Sequence, residues 1–314
     1  MRVIVVGAGV IGLTAAVHLA ERGADVHVMA RDLPLETTSS VAAAWWYPYR
    51  ALPRERVAAW AARSYECFQQ LAVNPESGVV MRRGVEVHRT RPADPWWRSA
   101  VPTLEPVTDL PPGYVDGWAF LGPVVEMPLY LAYLVRRLCA ASGTLTRLPL
   151  GDLPPGGDVV VNCSGLAARA LVGDASLTPV RGQVARLTQV GLDTVWLDAS
   201  GTDSNAAPTY VVPRVNDIVV GGTDEEGSWD VEPVPAITDD IVARATALVP
   251  ALVQAQLLGS RVGLRPARPT VRLERDERLD ASPVVHCYGH GGAGVTLSWG
   301  CAEEVARLAL EEAQ

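Results

Sequence analysis

Three stretches of this sequence combine residue types that bind and react. Gly7-Ala8-Gly9-Val10-Ile11-Gly12 has GxGxxG spacing between an apolar run and a helical pattern. There Gly7 permits a tight turn, Gly9 lets backbone approach a pyrophosphate, and Gly12 lets helix and strand pack closely. The helix N-terminus adds free N–H groups and the positive end of its dipole. Dinucleotide binding is the chemistry this predicts, with a ligand-free glycine turn as the alternative. Tyr288-Gly289-His290-Gly291-Gly292-Ala293-Gly294-Val295-Thr296 is a second glycine-rich strand-to-helix turn. One dinucleotide needs one pyrophosphate loop, so the second suggests backbone approaching another part of the same cofactor, such as an isoalloxazine edge. Its helix N-terminus would stabilise negative charge there. His290 reads as a packed histidine rather than a catalyst. The third stretch, Gly263 to Glu274, sets Arg265, Arg268 and Arg272 among prolines that stiffen the backbone. A guanidinium held this way suits bidentate capture of a carboxylate. Ion pairing is the other use, and it is the expectation for Arg268 and Arg272.

Asp25 to Pro34 (DVHVMARDLP) poses a question of its own. An acidic residue at the end of this strand would bind ribose hydroxyls, whereas an arginine accommodates a 2′-phosphate. Here Arg31 comes first and Asp32 follows. Arg31 alone favours NADP; it could equally donate to the ribose of FAD, or Asp32 could take the acidic role. The stretch by itself leaves all three open.

These residues must be held by particular elements. Arg2 to Val6 is apolar after its first residue, as in a strand of a parallel sheet buried on both faces. Leu13 to Glu21 has helical periodicity ahead of Gly23, and Val26 to Ala30 is a second strand, completing a βαβ unit. Pro128 to Ala141 reads as a helix, Asp158 to Cys163 as another buried strand. Thr209 to Pro213 and Asp217 to Gly221 read as an antiparallel hairpin, and Gln183 to Leu187 as a strand. Thr238 to Leu248 reads as a surface helix. Val284 to Tyr288 is a final strand, and a helix follows from about Ser298 to Glu312. The predicted fold is α/β: a Rossmann-type nucleotide domain interleaved with a mixed or antiparallel sheet domain. The boundaries expected are 1–48, 126–175 and 280–314 for the first domain, 49–125 and 176–279 for the second. This interruption is more usual in flavin enzymes than in simple dehydrogenases.

Composition excludes several classes. A net charge of −8 and a pI near 5.2 argue against nucleic-acid binding. Mean hydropathy is +0.14, yet no run approaches the roughly 18 apolar residues of a membrane span. With the first strand starting at Arg2, no signal peptide is expected. Cys67, Cys139, Cys163, Cys287 and Cys301 show no metal-ligand spacing, so no metal is expected. They read as buried or semi-buried thiols of a cytoplasmic protein. The 24 prolines point to many turns and fewer long helices.

Together these stretches resemble the D-amino acid oxidase family of FAD enzymes. The likeness runs through VIVVGAGVIGLTAA (Val3 to Ala16), TTSSVAAAWWYPY (Thr37 to Tyr49), VVVNCSG, RGQV, PTYVVPR (Pro208 to Arg214), GLRPARPTVRLE and HCYGHGGAGVTLSWGCA. It therefore covers nearly the whole chain. ARDLP resembles the yeast branch of the family, where arginine replaces the acidic ribose ligand. The resemblance implies noncovalent FAD held by Gly7, Ala8, Gly9, Val10, Ile11, Gly12, Arg31, Asp32, Thr38, Ser39, Ala42, Ala43, Ala44, Leu148, Ser164, Gly165, Arg265, Gly289, Gly291, Gly292, Ala293, Gly294, Val295 and Thr296. It implies a D-amino acid whose carboxylate binds Arg265 and the Tyr210 hydroxyl, and whose amine donates to the Gly292 carbonyl. The Cα hydrogen would pass as hydride to flavin N5. The imino acid would hydrolyse to keto acid and ammonia, and O2 would reoxidise the flavin with release of hydrogen peroxide. Such chemistry depends on orientation and requires no acid–base side chain.

Substrate choice and departures follow. Trp45, Tyr47 and Val212 are expected to line an apolar pocket, with Trp45 and Trp46 equally readable as core. The loop Asp198 to Ala207 lacks the lid tyrosine of mammalian members and carries no Arg, Lys or His. A D-aspartate oxidase would be expected to offer a second cation there, so neutral substrates are favoured. Asp198 and Asp203 leave room for basic ones. D-aspartate oxidase, glycine or sarcosine oxidase, an NADP-dependent dehydrogenase and an inert nucleotide-binding protein are the alternatives. The expected assembly is a monomer or homodimer.

Overall fold

A computed structural model of the protein describes residues 1–200, 208–277 and 282–310. It begins with β1 (Arg2–Val6), α1 (Val10–Ala20) and β2 (Asp25–Ala30), followed by 3-10 turns at Pro34–Glu36 and Thr38–Val41. Next come α2 (Arg54–Leu71), β3 (Val79–His88), β4 (Glu105–Pro106), β5 (Asp116–Val125), α3 (Met127–Ala140), β6 (Thr144–Arg147) and β7 (Val159–Asn162). After α4 (Ala168–Leu171) lie β8 (Thr178–Thr188), β9 (Val195–Asp198), β10 (Thr209–Pro213), β11 (Asp217–Gly221) and β12 (Glu225–Glu226). The chain closes with α5 (Pro235–Leu248), β13 (Leu257–Asp276), β14 (Val284–His290) and α6 (Gly294–Leu310).

The strands form one hydrogen-bonded sheet in the order β4-β5-β3-β9-β10-β11-β8-β13-β14-β7-β1-β2-β6, with β12 beside β8. β14, β7, β1, β2 and β6 are mutually parallel. Val3 and Val5 face a core shared with α1, α2, α3 and α6, while Ile4 and Val6 face a second core with Val160 and Leu153. Burial on both sides is why β1 reads as continuous hydrophobe. Beyond β13 most pairs are antiparallel. Ala185, Leu187, Val211, Ile218 and Val220 pack under Ile241, Ala245 and Leu248 of α5. Their alternates Val184, Tyr210 and Val212 face a cavity instead, the period-2 division expected of a strand.

β13 ties these regions together. It pairs with β8 from Leu257 to Ala267 and with β14 at Ala267 and then from Arg272 to Asp276, with a register break between. Pro269 falls inside that break, which is how a proline is accommodated within the sheet. The break was not foreseen, nor were β3 and β5.

Helix α2 was also missed. Val57, Trp60, Ala61, Ser64, Tyr65 and Phe68 recur at helical spacing and are buried, so the signal was present. Proline content argued against long helices, yet Pro53 stands at the N-cap, where no intrahelical bond is lost. Three other helices start earlier than expected. α1 begins at Val10 because Gly9, extended at φ −73° and ψ 178°, is its N-cap. α5 begins at Pro235, whose ring is tolerated in a first turn. α6 already includes Gly294, Val295 and Thr296. The β10–β11 hairpin and the strand at Gln183 are as expected. No helix among the described residues is long and apolar enough to cross a membrane.

Candidate active site

A cavity of about 1340 Å³ runs from the first glycine turn to the face of the antiparallel strands. That exceeds the roughly 300–1,000 Å³ of a site for one small ligand. At one end its wall is Gly7 to Ile11, Arg31, Asp32, Thr38, Ser39, Ala42 to Ala44, Leu148, Ser164 and Gly165. Gly7 has φ +110°, and a Cβ on Gly12 would lie 2.0 Å from the Gly7 carbonyl oxygen. Gly12 is thus set back from the wall, serving the close packing of α1 on its turn. A Cβ on Gly9 would reach 3.1 Å from the Ser39 hydroxyl oxygen, which itself accepts a bond from the Val10 amide at 3.0 Å. The N-cap residue Gly9 has no side chain of its own to cover the start of α1, and beyond the Ser39 bond to Val10 the turn lines the cavity with backbone. The bare cradle, the unblocked dipole and the length of the cavity fit a dinucleotide.

Arg31 and Asp32 both line this end, and they bind one another: Nη2 of Arg31 donates to Oδ2 of Asp32 at 2.6 Å and Nε to Oδ1 at 3.0 Å. The Asp32 hydrogen bond raises the pKa of Arg31. Asp32 is therefore already engaged, while the Arg31 side chain stays 71% exposed with donor capacity left.

At the other end the wall comprises Trp45, Tyr47, Tyr49, Gly182, Leu197, Tyr210, Val212, Trp229, Arg265, Gly291, Gly292, Gly294, Val295 and Thr296. β13 places Arg265 across Gly182 of β8, where a Cβ would lie 2.3 Å from Nη2. Nη1 of Arg265 donates to the Thr223 carbonyl at 3.0 Å. Tyr210 projects from β10 beside it; burial raises the phenol pKa and the Arg265 charge opposes that rise. It is a neutral donor at any ordinary pH. A Cβ on Gly292 would strike the Tyr49 ring at 2.6 Å, so the second glycine loop lies flat on Tyr49. Three anticipated residues separated by up to 82 positions (292 − 210) thus meet at one end of the cavity. Gly289 and Ala293 do not line it. Thr296 does, but its hydroxyl bridges the Tyr47 backbone, accepting from N at 3.1 Å and donating to O at 3.0 Å.

Trp45 is a wall residue, stacked between Tyr47 and Phe120 and lying over Gly84. Trp46 is core, its indole N–H donating to the Ala61 carbonyl. The Tyr47 hydroxyl donates to the buried Glu86 at 3.2 Å, and His88 Nε2 lies 3.1 Å from the same oxygen. Tyr49 donates to Oδ2 of Asp224 at 2.8 Å, Arg50 reaches the same oxygen at 2.7 Å, and Oδ1 of Asp224 lies 3.6 Å from Arg265. Burial and Asp224 push the Tyr49 phenol to about 12. Tyr49, Arg50, Gly182, Glu86 and Asp224 were not singled out from the sequence; Tyr49 ends a quoted motif, whereas Asp224 has no local signature.

The remaining expectations resolve individually. Arg268 pairs with Asp174 and Arg272 with Glu274, as ion pairs. His290 is buried, and desolvation lowers its pKa to about 4. Its Nε2 lies 3.8 Å from Cys287 Sγ, and these atoms with Cys301 Sγ fall within 4.8 Å of one another. That thiol cluster was invisible in linear spacing; burial and neighbouring thiols raise Cys163 and Cys287 well above the usual thiol range. Cys139, contrary to expectation, is exposed, because it lies on the outward face of α3. Asp198 accepts from Tyr114 at 2.7 Å, faces Arg89 at 3.5 Å and does not line the cavity. Asp203 and the rest of the loop from Gly201 to Ala207 lie outside the described residues.

Comparison with known proteins agrees with this geometry. Residues 2–308 match the family described as FAD dependent oxidoreductase, DAO, and the chain belongs to it: this is an FAD-dependent oxidoreductase. It is 52% identical to a D-amino-acid oxidase of Rubrobacter xylanophilus over 98% of this chain and 95% of that one. It is 44% identical to a D-amino-acid oxidase of Streptomyces coelicolor over 98% and 96%. Among solved structures, a glycine oxidase from Geobacillus kaustophilus superposes with a TM-score of 0.82, at 21% identity over 99% and 95% of the chains; at that identity the likeness is one of fold.

Proposed function

We propose that the protein is a D-amino-acid oxidase that deaminates neutral D-amino acids with noncovalent FAD. The observation that carries this is the meeting of Arg265, Tyr210 and the Gly291–Gly292 loop at the end of a dinucleotide-sized cavity. The identity to two D-amino-acid oxidases supports the same reading. Residues 1–48, 126–175 and 280–314 would hold FAD, with 49–125 and 176–279 forming the substrate side. Gly7 to Ile11, Ser39 and the start of α1 would take the pyrophosphate, and Arg31 would donate to the adenosine ribose.

Bound FAD would supply an acceptor for the hydride from the substrate Cα and a route for its electrons to O2. The chain's part is positioning. Arg265 offers a charged fork to the α-carboxylate, with Tyr210 as second donor. The Gly292 carbonyl accepts from the substrate amine. Trp45, Tyr47, Leu197 and Val212 exclude water and receive an apolar side chain. Among the described residues no carboxylate pairs with His290, so orientation and desolvation are assigned the rate. The buried free thiols suit a reducing, cytoplasmic setting, with a monomer or homodimer as the assembly. The test is an anaerobic titration of the yellow protein with D- and L-amino acids. Bleaching by D-valine and D-alanine but not their L forms is expected; bleaching by L forms or by sarcosine alone would refute the reading.

A further inference from the structure

Two cations meet beside the substrate end: Arg265 lines the cavity, and Arg50 stands behind the Tyr49 wall, joined to it through Asp224. Arg265 and Arg50 lie on either side of a single carboxylate, Asp224, at 3.6 and 2.7 Å. Arg50 follows Tyr49, a wall residue, and a Cβ on Gly291 would fall 2.3 Å from the Arg50 carbonyl oxygen. Its backbone therefore abuts the loop that closes the site. It is also held left-handed at φ +52°, a conformation unfavourable for a non-glycine residue that persists where surroundings impose it. The Oδ1 atom of Asp224 is buried without a hydrogen bond among the described residues.

The charges can be counted. Arg50 and Arg265 contribute two positive charges and Asp224 one negative, leaving one in excess, which a substrate with one carboxylate neutralises. Other charges nearby do not alter this. Glu226, 3.5 Å from Arg50, has a side chain 68% exposed, where water and salt screen it. Arg244 is paired with Asp240 and bonded to the Pro208 and Gly222 carbonyls, and Arg181 is paired with Glu225.

We propose that Asp224 sets the charge selectivity of the site. By occupying Arg50 it withholds a second cation from the substrate side chain, so monocarboxylic D-amino acids are accepted and dicarboxylic ones refused. An acidic side chain entering the parent site would approach the Asp224 carboxylate, which stands directly behind the wall residues Tyr49 and Arg265, and find Arg50 already neutralised, a repulsive element of the kind that specificity requires. Replacing the carboxylate by an amide leaves two unmatched cations, which suit a dicarboxylate.

The proposal rests on the substrate-end assignment above, and its test separates the two. Holoenzyme is titrated with butyrate and with succinate, which have equal carbon counts and differ by one carboxylate, while the flavin absorption band is followed. D-valine and D-aspartate turnover is measured in parallel. The parent should bind butyrate more tightly and prefer D-valine. In Asp224→Asn the succinate-to-butyrate affinity ratio and the D-aspartate-to-D-valine kcat/KM ratio should each rise about tenfold or more. Adding Arg50→Gln should return both ratios to the parent values. Asp224→Ser makes the same charge change should the Asn variant lose FAD. A ratio that moves less than about threefold in a variant retaining FAD overturns the proposal, as does a gain that survives loss of Arg50. If the carboxylate ratios shift while no D-amino acid is turned over, the charge selectivity stands and the D-amino-acid reading falls.

Discussion

Substituting Gly182 by alanine probes the carboxylate anchor without touching it. A Cβ at this position would lie 2.3 Å from Nη2, 2.5 Å from Cζ and 2.5 Å from Nη1 of Arg265. Ordinary contact begins near 3.4 Å, so the guanidinium must retreat by 1.1 Å (3.4 − 2.3) or more. It cannot do so freely, because Nη1 donates to the Thr223 carbonyl and faces Asp224. Misplacing a positioning group by about 1 Å costs on the order of 10²-fold in rate, roughly 2.7 kcal/mol. We expect kcat/KM for D-valine to fall by about that factor in Gly182→Ala. The glycine turn proposed to cradle FAD is unaltered, so the flavin spectrum and bound FAD should match the parent. Peroxide release coupled to a chromogenic peroxidase gives the rate, and absorbance at the flavin band gives occupancy. A folded variant with parental FAD content and kcat/KM within about twofold of the parent would refute the placement of Arg265 in substrate binding.

Other outcomes follow from the same geometry. Arg265→Ala should lose about 10²-fold or more in kcat/KM while retaining FAD, since a charge-assisted pair to the substrate carboxylate disappears; unchanged kinetics would place the anchor elsewhere. Arg31→Ala should weaken FAD by about tenfold, in line with one or two donor bonds to an exposed ribose, read as the Kd for FAD added to apoprotein; equal affinity would remove Arg31 from the ribose site. Acid should destabilise the fold early. His18, His286 and His290 have pKa values lowered by burial from 6.5 to about 4, so between these limits the unfolded chain binds the extra protons. Stability is then full above about pH 6.5 and falls as pH drops toward 4. Urea midpoints at pH 7.5, 5.5 and 4.5 should decrease in that order, and a flat series would contradict the buried neutral histidines.

Much of the site was legible because its chemistry is carried by short, contiguous signals. Gly7 to Gly12, read between a strand and a helix, points to a nucleotide turn, and the Tyr288 to Thr296 loop to a second part of the proposed cofactor site. Arg265 and Tyr210 gained roles from motifs around them. What stayed hidden depends on pairings across the sheet. Gly182 looks like an ordinary strand residue until Arg265, 83 positions later (265 − 182), folds over it. Arg50 and Asp224 are unremarkable surface-type charges in their own segments and become a cluster only when β11 ends beside the loop after Tyr47. The loop from Asp198 to Ala207 carries no cation; the second cation of the proposed pair follows Tyr49. Helix α2 was missed for a different reason: a global proline count outweighed a clear local period.

β13 makes the two sides of the molecule inseparable. Its single backbone serves as ladder partner to β8 along one stretch and to β14 along another, so neither side owns it. Separating the two sides at the expected boundaries would strip from the first the row of hydrogen bonds that β14 makes with β13. The substrate side therefore cannot be exchanged as a cassette between relatives. Changes of specificity in this scaffold must come residue by residue, at positions such as 50, 182 and 224 that sit where the shared strand and the glycine loop meet.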